Sequence, residues 1–302
     1  MKYAYLPFIA LLFSFFGCVE TPEKTSNSTV QWTNLIDTNL SHWDQYLSYR
    51  HKNGYDGTEP QDSLGNKITP IGLNQKGYDV FTTQVMENDT VIAISGEIYG
   101  CLITKEAYRN YHLQLQYKWG DKIWEPRKQK LKDSGVLYHS IGDMGADYWR
   151  SWMLSQELQV MEGHTGDYFT QGRPELGVSL VDIRAYIPEF VIPALAHESQ
   201  GYLTVGQDEE VKYYCMRKGN YEKPNDEWNT VELICYEGKS LHIVNGEVVM
   251  VLKNSRYKDP TGATFPLIEG KIQLQSEAAE IFYKDIKIIP LDTLAEKYEV
   301  YF

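Results

Sequence analysis

The sequence predicts an all-β protein, and three observations carry that expectation. Twenty-three Tyr and seven Trp accompany strand-like runs between turn signals, as aromatic side chains do on pleated, half-buried surfaces. Long amphipathic periodicity of the helical kind is nearly absent. Asn245-Gly246 stands between two alternating runs, and this pair suits the two central positions of a tight hairpin turn because both require positive φ.

In chain order, residues 1–17 carry one early lysine and an apolar run from Leu6 to Phe16, too short for a spanning helix, and read as an export signal. Phe15-Phe16-Gly17-Cys18 resembles a bacterial lipoprotein processing site, which makes Cys18 the lipidated first residue of an exported chain anchored in the cell envelope, facing the periplasm or the cell surface. The alternatives are an ordinary signal peptide or an uncleaved anchor. Residues 18–30 are small and polar, a flexible tether. Residues 31–292 then read as one β-sandwich, with 293–302 as a C-terminal tail. Strands are expected at 91–98, 101–104, 111–119, 135–140, 156–161, 230–236, 240–244, 247–252, 271–275 and 281–289.

Net charge is -12, without the basic face of a nucleic-acid binder. Beyond Cys18, the cysteines Cys101, Cys215 and Cys235 are odd in number and irregular in spacing, which is no disulfide framework. Cys215 and Cys235 either pair or remain buried thiols. Three segments read as insertions, at 48–74, 120–133 and 181–200. The second carries Trp124 and five cations, Lys122, Arg127, Lys128, Lys130 and Lys132, which form a solvated face or rim a site. The strand at 111–119 places His112, Gln114, Gln116 and Lys118 on one face, open to solvent or to a cleft.

The stretch 155–168 holds the main candidates for chemistry. Two-residue alternation puts Glu157, Gln159 and Met161 on one face and Leu158, Val160 and Glu162 on the other. A bulge near Met161 would return Glu162 to the face of Glu157. His164, with Glu162 and Asp167 close in sequence, titrates in the neutral range if its surroundings are ordinary.

Four motifs in order resemble one bacterial family. They are Asp133-Ser134-Gly135-Val136-Leu137-Tyr138-His139; Glu157-Leu158-Gln159-Val160-Met161-Glu162; Trp228-Asn229-Thr230-Val231-Glu232 with the hairpin through Asn245-Gly246; and 270–276 closed by 281–288. The chain is similar, from Trp32 to Leu291, to the 3-keto-glycoside lyase/hydratase or 3-keto-disaccharide hydrolase family. Asp133 replaces the family's common Asn, His139 stands where many members carry Arg, and the basic loop belongs to a subset.

The resemblance implies a concanavalin-like jelly roll of two curved antiparallel sheets. It also implies a sugar substrate whose C3 hydroxyl a partner 3-dehydrogenase has oxidised. The C3 ketone acidifies the C2 proton; a base removes it, the enediolate expels the group on C1, and hydration completes net hydrolysis. Glu157, His164, Glu162 and His139 are the acid–base candidates. Gln159, Lys118, Trp119, Trp124, Arg127, Asp167, Tyr168 and Gln275 are candidates for holding the sugar, as are Tyr148 and Trp149. No cofactor is certain; a divalent metal on Glu157, His139 and His164 would polarise the ketone. Two other readings stay open. Glu157 and Glu162 have the spacing of a retaining glycosidase strand acting on unoxidised glycosides, or the fold binds carbohydrate without catalysis.

Overall fold

The computed structural model describes residues 1, 31–50, 60–145, 151–171, 188–193, 202–205, 214–258 and 263–302. The expected signal segment, the tether, Cys18, Tyr148 and Trp149 lie outside the described residues, as do parts of the segments 48–74 and 181–200. Gln31–Phe302 forms one compact unit.

Its strands in chain order are β1 (Thr33–Asn34), β2 (Trp43–Arg50), β3 (Gly72–Leu73), β4 (Phe81–Met86), β5 (Asp89–Ile94), β6 (Ile98–Thr104), β7 (Tyr111–Ile123), β8 (Asp133–Ile141), β9 (Leu154–Met161) and β10 (Tyr168–Thr170). There follow β11 (Pro188–Pro193), β12 (Tyr202–Val205), β13 (Tyr214–Cys215), β14 (Asn229–Tyr236), β15 (Lys239–Val244), β16 (Glu247–Lys258), β17 (Thr264–Pro266), β18 (Lys271–Ser276) and β19 (Ala279–Pro290). A short helix, α1 (Glu296–Glu299), ends the chain. Among the described residues no helix is long and apolar enough to cross a membrane.

Two antiparallel sheets make a jelly-roll sandwich. The first runs β12-β11-β16-β15-β14-β7-β19-β5-β4, with β1 on β19 and β17 on β16; the second runs β13-β10-β9-β8-β18-β6-β2-β3. Alternation fills the space between them. From the first sheet come Leu113, Leu115, Tyr117, Val231, Leu233, Ile281 and Tyr283, and from the second Leu102, Val136, Tyr138, Leu158, Val160, Ile272 and Leu274. At about 25 cal/mol per Å² of apolar area, this shared layer is the main source of stability.

Asn245 and Gly246 both have positive φ and turn β15 into β16 with Val244 opposite Glu247, as the hairpin signal requires. The expected strands 91–98 and 101–104 are β5 and β6, but the break between them falls at 95–97 and not at 99–100. The chain leaves the first sheet after Ile94 and enters the second at Ile98, passing Gly96, where a Cβ would lie 2.3 Å from the Ala279 carbonyl oxygen. This bend hides in an otherwise strand-like run. Cys101, Cys215 and Cys235 are buried free thiols, so Cys215 and Cys235 do not pair.

Candidate active site

The polar face of β9 looks away from the core. Leu158 and Val160 point between the sheets, so Glu157 and Gln159 stand on the outer face of the second sheet. Next to them Tyr46, Tyr49, Tyr99, Cys101, Leu137 and Trp152 form an apolar cluster on that same face. Beside it opens a pocket of about 240 Å³ lined by Arg127, Asp133, Trp152, Glu157, Gln159, Met161, Phe169, Gln171 and Glu277. Aromatic walls with converging polar groups are the usual make-up of a small-molecule site.

Glu157 is only 2% exposed. Phe169 of β10 lies opposite it in register, and two residues on, the Gln171 amide donates to Glu157 Oε2. Its other oxygen leans over Gly135 of β8. A Cβ on Gly135 would sit 2.3 Å from Glu157 Oε1 and 2.4 Å from Gln275 Oε1, so the missing side chain is the space in which the two groups meet. The pairing of Gly135 with Gln159 brings a second amide alongside, and among the described residues the side-chain oxygens of Gln159 and Gln275 have no partner. Buried acceptors of this kind await donors such as sugar hydroxyls.

Arg127 closes one side. Its guanidinium bonds to Asp133 Oδ2 and, at 2.8 Å, to Glu277 Oε1. Burial works against its charge, but Asp133 and Glu277 outweigh burial and hold its pKa above the ordinary value. Asp133 is pushed well above the usual carboxylate range, first by burial and then by the charge of Glu277.

Other sequence candidates fall elsewhere. The β8–β9 register runs without a break from Met161 to Gln156, so there is no bulge near Met161. Glu162 instead begins the loop, where it accepts from Asn225 Nδ2 and the Lys132 amide. The irregularity lies at the other end, between Tyr138 and Ile141, where His139 takes φ 50°. That twist turns His139 against the rings of Tyr111 and Tyr138 and onto Gln156 Nε2 at 3.2 Å. Simple alternation with Leu137 points His139 to the outer face; the bulge overrules it. Burial lowers its pKa to about 4.

His164 pairs with Asp167 at 3.1 Å, and Asp167 also accepts from Tyr214 and Arg217. This cluster ties the 162–167 loop to the β13 segment and does not line the pocket. Glu157, His139 and His164 are therefore not brought together as a metal set, and no group of three or more His, Cys, Asp and Glu among the described residues is arranged to hold a metal. The cation between Asp133 and Glu277 is Arg127.

Lys118 lies on the outer face of the first sheet, bonded to Glu87 at 2.6 Å and over the Trp228 ring. Its strand neighbour His112 bonds Glu232 at 2.7 Å on that face, so this polar face is not the pocket. Trp119 packs in the core, Tyr168 is buried beside His242, and Trp124 donates to the Ser95 carbonyl. Of the five loop cations only Arg127 lines the pocket. Sequence reasoning missed Asp133, Glu277, Gln171, Phe169 and Trp152 as pocket residues. For two of them the signal existed: Asp133 alternates with Gly135, and Glu277 follows Gln275 by two residues.

With this geometry in place, the sequence matches the family described as the 3-keto-alpha-glucoside-1,2-lyase-like domain over residues 31–289. The chain belongs to this family. Membership supports a carbohydrate-active function. Similar solved structures include a candidate glycosyl hydrolase from Parabacteroides distasonis, at 16% identity and TM-score 0.43, covering 86% of this chain and 100% of that one. A second from the same organism shares 18% identity at TM-score 0.41 and covers 72% and 86%. The carbohydrate-binding module CBM66 from Bacillus subtilis shares 7% at TM-score 0.38, covering 69% and 91%. No curated protein matches the chain.

Proposed function

We propose that the protein cleaves 3-keto-glycosides by removing the C2 proton and eliminating the group on C1, with hydration of the resulting glucal giving net hydrolysis. The observation that carries this reading is Glu157, a nearly fully buried carboxylate aimed into a pocket whose other groups suit a sugar. Glu157 is the base. Gln159 and Gln275 take hydroxyl hydrogens, and Trp152 and Phe169 give the ring an apolar wall. Among the described residues Arg127 is the positive charge lining the pocket, and it faces the developing enediolate in a site where low dielectric strengthens it.

The substrate must reach the site already oxidised at C3, so a sugar 3-dehydrogenase acts before it. Export and lipid attachment through Cys18 belong to the same proposal and put this chemistry at the cell envelope. The retaining-glycosidase reading loses its support, because Glu162 is held by Asn225 and the Lys132 amide and does not line the pocket of Glu157.

The test offers a 3-keto-glucoside and its unoxidised parent in deuterated water. Deuterium at C2 of the product is expected from the keto substrate alone. Glu157→Gln should lower turnover by about 10³-fold while sugar binding persists. Turnover of the parent glycoside alone, or full activity in the variant, refutes the assignment.

A further inference from the structure

We propose that Asp133 is the proton donor to the departing C1 oxygen, kept in its acid form by sharing the single guanidinium of Arg127 with Glu277. This rests on the lyase reading above and supplies the second half of its acid–base pair.

Three segments distant in sequence build the group. Arg127 comes from the loop between β7 and β8, Asp133 is the first residue of β8, and Glu277 lies in the turn between β18 and β19. One positive charge faces two carboxylates. The Asp133 side chain is 4% exposed and that of Glu277 10%. Ionising both would leave one negative charge out of water without compensation, which is costly; binding one proton removes it. The more deeply buried Asp133 is where that proton belongs. Asp133 Oδ2 is taken by Arg127, while Oδ1 is buried and has no partner among the described residues. Since Asp133 lines the same pocket as Glu157, a ligand oxygen that reaches it there can take the Asp133 proton. Among the described residues, the titratable groups facing Asp133 are Arg127, Glu277, Glu157 of β9 and Tyr283 of β19. Arg127 favours the ionised form, and burial and Glu277 oppose it.

The proton balance closes. Glu157 carboxylate takes the C2 proton, and the C–H electrons form the enediolate. As the C3 carbonyl reforms, the C1=C2 double bond forms, the C1–O bond breaks, and the leaving oxygen takes the Asp133 proton. Glu157 is then protonated and Asp133 ionised. Hydration runs the same pair in reverse: Asp133 takes a proton from the water adding to C1, and Glu157 returns one to C2. Both residues end as they began, with no other reactant than water. An Asn at position 133, the common residue of the family, could not do this.

Asp133→Asn is tested with methyl and 4-nitrophenyl 3-keto-glucosides, the second leaving without a proton. kcat/KM on the methyl substrate is expected to fall about 10²–10⁴-fold, at least about 10-fold more than on the aryl substrate. Equal losses on both, or no loss on either, overturn the proposal. Exchange of the C2 proton with deuterated water in the variant reports an intact base and fold. If the variant does not fold, Glu277→Gln decides: removing the second carboxylate should move the alkaline limb of the methyl-substrate profile down by about one pH unit, and an unmoved limb overturns the role of Asp133. Wild-type protein that neither cleaves nor exchanges 3-keto-glycosides defeats the lyase reading itself; wild-type cleavage with an unaffected Asp133→Asn defeats only this inference.

Discussion

Gly135→Ala isolates the geometry of the pocket from its chemistry. The added methyl carbon would lie 2.3 Å from Glu157 Oε1, 2.4 Å from Gln275 Oε1 and 3.0 Å from Gln275 Cδ, where ordinary contact begins at 3.4 Å. Both side chains must therefore retreat by about 1 Å. Strand conformation itself is not strained, because Gly135 does not have positive φ. The obstructing atoms are ends of side chains, not backbone, so the stability cost belongs at the low end of overpacking, about 1 kcal/mol, or about 2–4 °C in Tm for a domain of this size. A misplacement of 1 Å at a reacting group costs about 10²-fold in rate. Calorimetry with steady-state kinetics on a 3-keto-glucoside should show a folded protein with kcat/KM about 10²-fold down. A variant of unchanged activity would refute the placement of Glu157 and Gln275 at the reacting centre; one that fails to fold would refute the claim that only side-chain ends obstruct.

Three further outcomes concern His242, Asp167 and His164. His139 and His242 are both buried, with pKa lowered to about 4. Their folded values lie below the unfolded value of about 6.5, so the unfolded chain binds more protons as pH falls between these limits, and stability drops. By linkage the loss at pH 5 relative to pH 8 is on the order of 2 kcal/mol for each. His242→Gln should flatten the pH dependence of urea unfolding between pH 6.5 and 4 relative to the parent; an unchanged slope contradicts it. Around the loop at 162–167, Asp167→Ala strips buried Arg217 of its bond to Asp167 and should cost about 3–5 kcal/mol. His164→Ala, with a side chain 35% exposed, should cost less than about 1 kcal/mol and leave kcat/KM within about twofold. A large loss of turnover in His164→Ala would return His164 to the catalytic set.

Period-two patterning carried much of the fold. It placed Glu157 and Gln159 opposite Leu158 and Val160, and it marked β7, β14, β15, β18 and β19 with small errors at their ends. The short strands β1, β3, β10, β13 and β17 were not legible, because two or three residues contain too little alternation to detect, and the longer β2, β4, β11 and β12 were not expected either. The same limit explains β8. A single positive φ at His139 reverses the face on which it lies, and no side-chain pattern announces it.

What the sequence determined by itself is whatever a strand's own alternation and turn chemistry decide: an antiparallel β-protein, the Asn245-Gly246 hairpin, and a carboxylate beside an amide on one face of β9. Tertiary structure alone decided which polar face is the pocket, since the row from His112 to Lys118 and the row through Glu157 obey the same rule. It also decided which charges meet. Arg127 and Glu277 are separated by 150 residues, and only the register of β8, β9 and β18 brings Glu157 and Gln275 together over Gly135, two residues from Asp133. Pairing between distant strands is set by the summed burial of the whole core, not by any local run of residues, so the site becomes visible only when the sheet is assembled.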